Sequence, residues 1–292
     1  MTDLLGLHPA WILAAAALLG AVIGSFLNVV IHRLPVMMER QWQREARAWL
    51  GNEDAAGEEA HGPFNLLVPG SRCPACGHRI GPLENIPLLS YLVLRGRCAA
   101  CRARISPQYP LVEGVTAVLS VVVVAHFGVT WAGAAALALT WSLLALAVID
   151  LRTSLLPDAL TLPVLWLGLL VNLGTLFTDP TSSLLGAVIG YLSLWGVYQA
   201  FRLLTGKEGM GYGDFKLFAL LGAWLGWQML PLVILLASLV GALVGIALIV
   251  LRGRDRELPI PFGPYLAAAG WIALLWGDPL VTAYLRGAGL AW

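Results

Sequence analysis

Of the 17 acidic residues in this 292-residue chain, four border long apolar runs: Glu113, Asp150, Asp158 and Asp214. Asp150 follows the charge-free residues 131–149, and Asp214 stands in the glycine-rich string GMGYGDFKLF. Ionisable groups at membrane depth are costly and usually functional, yet most of these have a structural reading. Asp158, directly after Pro157, reads as a helix N-cap. Glu113 reads as a charge flanking a span, Asp214 as a second cap, and Lys216 as an anchor at the membrane surface. Asp150 resists such a reading, because it sits where a helix should end and the helix dipole disfavours an anion there. Two aspartates that share one proton can cut a peptide bond without a metal or a serine nucleophile. One activates a water, the other protonates the carbonyl, and like-charge repulsion keeps one of them neutral. The chemistry needs Asp150 and Asp214 at the same depth. Helix-end fields make Asp214 the expected initial base and Asp150 the expected acid, and the glycines around Asp214 would admit a substrate backbone closely.

The second constellation is Cys73-Pro-Ala-Cys76 and Cys98-Ala-Ala-Cys101, two C-x-x-C pairs 21 residues apart and the only cysteines in the chain. Two residues between cysteines let both thiolates of a knuckle reach one ion, and two knuckles complete a four-sulfur shell around zinc. Two disulfides are the competing reading, which a reducing cytoplasm disfavours. A redox C-x-x-C is another, weakened by the presence of two pairs and the lack of alternating strands and helices. His78 is a less suitable ligand than the four cysteines. A closed four-sulfur site leaves no open position for catalysis, so its role would be to fold a small domain.

These groups need elements to hold them. The chain is 59% hydrophobic and only 12% charged, far from the composition of an ordinary soluble enzyme. That excludes a cytosolic enzyme, a disordered tail and a nucleic-acid binder. Eight apolar stretches approach the ~20 helical residues needed to cross a bilayer: 9–31, 109–127, 131–150, 158–177, 183–204, 214–229, 230–251 and 262–284. Backbone in lipid must satisfy its own hydrogen bonds, so these are helices. The first is no cleavable signal peptide, since Asp3 and His8 rather than basic residues precede it. With the N-terminus outside, Lys and Arg divide 17 to 1 in favour of the cytoplasmic side, ten of the 17 being arginines of residues 32–108. The expected fold is therefore an all-α polytopic membrane protein of about eight spans, with a small cytoplasmic zinc-binding domain between the first and second. Six spans is the rival count. The expected divisions are 1–31, a first transmembrane helix; 32–108, the cytoplasmic domain; and 109–292, a transmembrane peptidase domain. Residues 39–50 place Trp42, Ala46, Trp49 and Leu50 on one stripe and read as a helix on the inner membrane surface, with a solvated connector as the alternative. The acidic, Gly-rich 51–63 reads as a linker. No internal repeat stands out.

The string GYGD at 211–214 carries the G-x-G-D signature of membrane aspartyl proteases, and its context resembles the bacterial type IV prepilin peptidases, bifunctional leader peptidase/N-methyltransferases. GSFLNVVIHRLP at 24–35, the four cysteines, ENIPLLSYLVLRGRC at 84–98 and ISPQYPLVE at 105–113 fit that pattern. So do ID…LLPD at 149–158, GMGYGDFK at 209–216 and PIPFGPYLA at 259–267. Only the 39–63 insert has no clear counterpart. The resemblance implies cleavage of the basic leader of prepilins and pseudopilins at the cytoplasmic face of the inner membrane. Methylation of the new N-terminal amine by S-adenosylmethionine would follow. It maps the family's aspartates onto Asp150 and Asp214, and the zinc ligands onto Cys73, Cys76, Cys98 and Cys101. No Gly-rich nucleotide loop locates the methyl donor, so no residues are assigned to it. The alternatives are a membrane aspartyl protease without methylating activity, a proton-coupled transporter and a non-catalytic scaffold. Partners follow from this reading: prepilins, pseudopilins and the lipid bilayer.

Overall fold

The computed structural model describes residues 8–50, 64–207, 209–252, 261–287 and 289; the expected linker at 51–63 and the cations Arg254 and Arg256 lie outside them. Nine α-helices are present among the described residues: α1 (Pro9–Trp49), α2 (Leu89–Val93), α3 (Gln108–Phe127), α4 (Trp131–Thr153), α5 (Asp158–Asn172), α6 (Pro180–Thr205), α7 (Tyr212–Leu225), α8 (Leu230–Arg252) and α9 (Gly263–Gly287). All but α2 coincide with the eight apolar stretches of the sequence. Six are long and apolar enough to cross a membrane: α1, α3, α4, α6, α8 with the 3₁₀ turn before it, and α9. The protein is thus an all-helical, multi-pass membrane protein. The helices form two compact units, residues 1–128 and 129–292.

In the first unit α1 packs on α3 through small residues. A Cβ on Gly20 would meet the Ala117 Cα at 2.8 Å, and one on Gly24 would meet the Glu113 Cα at 2.7 Å. Close backbone approach of this kind is how helices associate in lipid, where apolar burial alone offers little. Thr116 and Ser120 on the facing side return their hydroxyls to the carbonyls of Val112 and Thr116, so no polar hydrogen is stranded. Helix α1 continues past its apolar run without interruption, Pro35 included, to Trp49. Residues 39–49 are therefore a continuation of the first helix rather than a separate one.

The second unit is built around α7. Every residue from Asp214 to Leu225 except Lys216 is buried, as expected of a helix that is apolar all round, and α5, α6, α8 and α9 pack on it. Gly186 of α6 lies against Gly222 of α7, where a Cβ on either would reach the other's carbonyl oxygen at just over 2 Å. Two helices end well short of the sequence expectation. Helix α5 stops at Asn172 rather than 177, because the Asn172 amide donates to the carbonyls of Ala223 and Trp224 and accepts from the N–H groups of Phe177 and Thr178. Helix α7 stops at Leu225 rather than 229, because Gly226 takes φ +83° and starts a new turn.

Candidate active site and metal centre

The acid positions follow from how four helices begin and end. Helix α4 closes at Ser154, which adopts the left-handed conformation and returns its N–H to the Asp150 carbonyl at 2.8 Å. The chain then runs through Leu155 and Leu156 to Pro157, whose ring keeps its neighbour extended and starts α5. This throws Leu156 between two glycines: Gly213 at the start of α7 and Gly263 at the start of α9. A Cβ at Gly213 would come within 2.8 Å of the Leu156 Cβ, and one at Gly263 within 3.3 Å of its Cδ1. Gly263 is the first residue of α9, where a helix leaves its N–H groups unpaired, and its N–H donates to Asp150 Oδ2 at 3.0 Å. Asp214 occupies the third position of α7, whose cap, Gly211, has no side chain to offer. Both carboxylates are buried, 5% and 8% exposed, and Asp150 is close enough to Asp214 to act on it electrostatically. The structure thus brings together the two acids that sequence reasoning selected, the Asp150 carboxylate facing the N-terminus of α9 and Asp214 standing in the first turn of α7. The α9 N-terminus facing Asp150 also counters the unfavourable field of α4, on which the expected division into base and acid rested.

The other edge acids do different work. Asp158 does not cap α5; Pro157 holds the cap position, and Asp158 follows it with its carboxylate bound to Lys216 Nζ at 2.6 and 2.7 Å. Lys216 is therefore an ion-pair partner rather than a free anchor. Glu113 is buried and accepts the N–H of Leu88, a residue held at φ +60°. Sequence reasoning missed Gly263 and Leu156 as neighbours of the pair. The string PFGPY, a glycine between prolines at a helix start, was the available signal.

The four cysteine sulfurs lie within 4.8 Å of one another, with Cys73 and Cys101 at 3.8 Å, and none is in a disulfide. Four sulfurs at ~2.3 Å around a central ion stand about 3.8 Å apart, so the cluster fits one tetrahedral metal ion. Backbone N–H groups of Cys76 and Ala75 bring the Cys73 thiol down to about 7, and those of Cys101 and Ala100 lower Cys98. At Cys76 the N–H of His78 favours the thiolate, but desolvation and the neighbouring sulfurs outweigh it and push the thiol up to about 12. A cation at the centre would remove that opposition. His78 is directed to Glu84 at 3.1 Å instead of joining the cluster.

The two knuckles are copies of one motif, so an internal repeat does exist. SRCPACGHRI (71–80) and GRCAACRARI (96–105) agree at six of ten positions. Their hydrogen bonds also match. Cys73 N–H to the His78 carbonyl corresponds to Cys98 N–H to that of Ala103, and Ile80 N–H to Ser71 corresponds to Ile105 N–H to Gly96. Gly77 and Arg102 fill the same left-handed position. The unit is ten residues long and occurs twice, so it makes a pair of knuckles rather than a series of repeated domains.

Comparison with known proteins places the chain in a family. Residues 18–127 match the model for the bacterial peptidase A24 N-terminal domain, and residues 137–246 that for the type IV leader peptidase family. Curated relatives bearing the name prepilin leader peptidase/N-methyltransferase include proteins of Pseudomonas aeruginosa, Aeromonas hydrophila and Xanthomonas campestris. The first is 57% identical over 99% of both chains, the second 61% over 92% of both, and the third 51% over 97% of this chain and 98% of its own. No solved structure matches. Matched in two blocks by family models and along nearly its whole length by these relatives, the chain belongs to the type IV leader peptidase family.

Proposed function

We propose that this protein is a bifunctional enzyme of the bacterial inner membrane. It cleaves the basic leader from type IV prepilins and pseudopilins with the Asp150–Asp214 pair, then methylates the new N-terminus with S-adenosylmethionine as co-substrate. The observation that carries the peptidase reading is the convergence of two buried carboxylates at the ends of α4 and α7, supported by the shared name of relatives along nearly the full chain. Between them the two acids hold one proton. The ionised one takes a proton from water, which attacks the scissile carbonyl, while the neutral one donates to the carbonyl oxygen. Their titration belongs to the pair, so neither is labelled base or acid. A transporter would instead place its charges near mid-membrane on facing helices.

The chain crosses the bilayer eight times with its N-terminus outside. Helices α5 and α7, 15 and 14 residues long, reach only ~22 Å at ~1.5 Å per residue; α7 is enclosed by protein along nearly its whole length, and protein neighbours can meet backbone groups that lipid cannot. The 17-to-1 division of Lys and Arg puts both aspartates at the cytoplasmic face. Residues 32–108 are then the cytoplasmic domain, held by zinc on Cys73, Cys76, Cys98 and Cys101, and 109–292 the peptidase domain. Zinc supplies folding rather than chemistry, because its four positions are filled.

The test uses full-length protein in proteoliposomes with a prepilin substrate. Asp150→Asn and Asp214→Asn should each abolish cleavage while transfer of labelled methyl groups to pre-cleaved pilin continues. Retained cleavage in either variant would refute the peptidase assignment, and absent methyl transfer in the unmodified protein would refute the second activity.

A further inference from the structure

The zinc module, residues 64–108, carries more positive charge than its fold explains. It contains six arginines, no lysine and one acid, Glu84, and that acid is already engaged by His78 and the Gly81 N–H. A zinc ion with four thiolates would contribute two negative charges, which still leaves three positive. Arg72, Arg79, Arg95, Arg97, Arg102 and Arg104 are all exposed. Four of them are paired like with like: antiparallel bridges set Arg72 opposite Arg79 and Arg97 opposite Arg104. Like charges directly opposite on a two-stranded ribbon destabilise it, and the repeat places such a pair in both knuckles. Stability does not account for this arrangement.

The module is also tied to both long helices of its unit, α1 and α3. Arg33 is the first Arg or Lys after the apolar run of α1, and it donates to the carbonyls of Asn65 and Pro69. Phe64 packs beneath the guanidinium groups of Arg33 and Arg40, 5.7 and 4.2 Å from its centroid. At the other end, Glu113 in the second turn of α3 holds the Leu88 N–H at 2.8 Å. Between these attachments in the sequence the surface presents large apolar side chains: Leu83 is 80% exposed, and Leu92 and Val93, just ahead of Arg95 and Arg97, are each 71% exposed.

We propose that the zinc module is a docking surface for the anionic lipid leaflet, its arginines on phosphate headgroups and Leu83, Leu92 and Val93 in the interface. Arginines on headgroups beside shallowly inserted apolar side chains are how peripheral elements bind anionic membranes. The charge argues against the basic leader of a prepilin as occupant, since like would meet like. The inference rests on the cytoplasmic placement of the module and not on the peptidase reading.

Hydrogen exchange of residues 81–97, followed by mass spectrometry on full-length protein in nanodiscs, tests it. Discs of phosphatidylcholine alone are compared with discs containing phosphatidylglycerol. Exchange should slow about tenfold in the anionic discs and recover in high salt, as screening requires. Free glycerol phosphate added to neutral discs should protect nothing. The R72Q/R79Q/R97Q/R104Q variant should exchange alike in both discs while keeping its zinc. If that variant loses zinc, Leu83→Ser/Leu92→Ser decides, because both side chains are already exposed: its protection in anionic discs should fall. Equal exchange of the unmodified protein in both lipids, protection by the free anion, or undiminished protection in the deciding variant would overturn the proposal.

Discussion

Asp150 owes its setting to a glycine. The first N–H of α9 reaches its carboxylate only because Gly263 has no side chain: a Cβ there would stand 2.6 Å from Oδ2 and 3.3 Å from Leu156. Gly263→Ala is expected to displace the carboxylate and leave the helices in place. Misplacement of a reacting group by about 1 Å can cost about 10²-fold in rate, so kcat for prepilin cleavage should fall by about that factor with the amount of folded protein in the membrane unchanged. A variant as active as the parent would mean that this N–H does not position Asp150. The choice of Asp150 was legible from its type and place, since an acid after 19 uncharged residues at a helix C-terminus has few structural excuses. Its partner at Gly263 was not, because a backbone N–H 113 residues away leaves no mark on side-chain pattern.

At the scale of elements, α5 and α7 are joined by Asp158 and Lys216, and Lys216 stands two residues from Asp214. The pair is partly exposed, 52% and 29%, so it is worth ~1 kcal/mol or less. Asp158→Lys and Lys216→Asp should each lower cleavage by up to about fivefold, and the double swap should restore it. Failure of the swap to rescue would show that the two act separately. Helix positions were largely readable, since apolar length and the need to satisfy backbone in lipid leave few alternatives. The pairing was not, and it changes the meaning of Asp158 from cap to tether. Helix ends fell short where a side chain such as Asn172 intervened, or where a glycine such as Gly226 turned left-handed. The ten-residue repeat was visible in the letters, but its significance lies in matched hydrogen bonds and opposed arginines that only the folded chain displays.

Taken as a whole molecule, the chain keeps its two kinds of chemistry in different units, the four cysteines within 1–128 and the two aspartates within 129–292. Metal removal should therefore unfold the knuckles without dismantling the peptidase helices. Chelation, or Cys73→Ser/Cys98→Ser, is expected to release zinc and speed hydrogen exchange across 71–105 while α4, α7 and α9 stay protected. Parallel loss of protection in α7 would contradict this separation.

Asp150 and Asp214 are expected to act as one catalytic unit, and such a unit shows itself as non-additivity. Turnover of a membrane-embedded prepilin is measured for Asp150→Asn, Asp214→Asn and the double variant in the same lipid. Two acids working on one water predict that each single change costs nearly as much as both together. Losses that multiply in the double variant, or a single variant that still cleaves, would mean that the two carboxylates do not share the reaction.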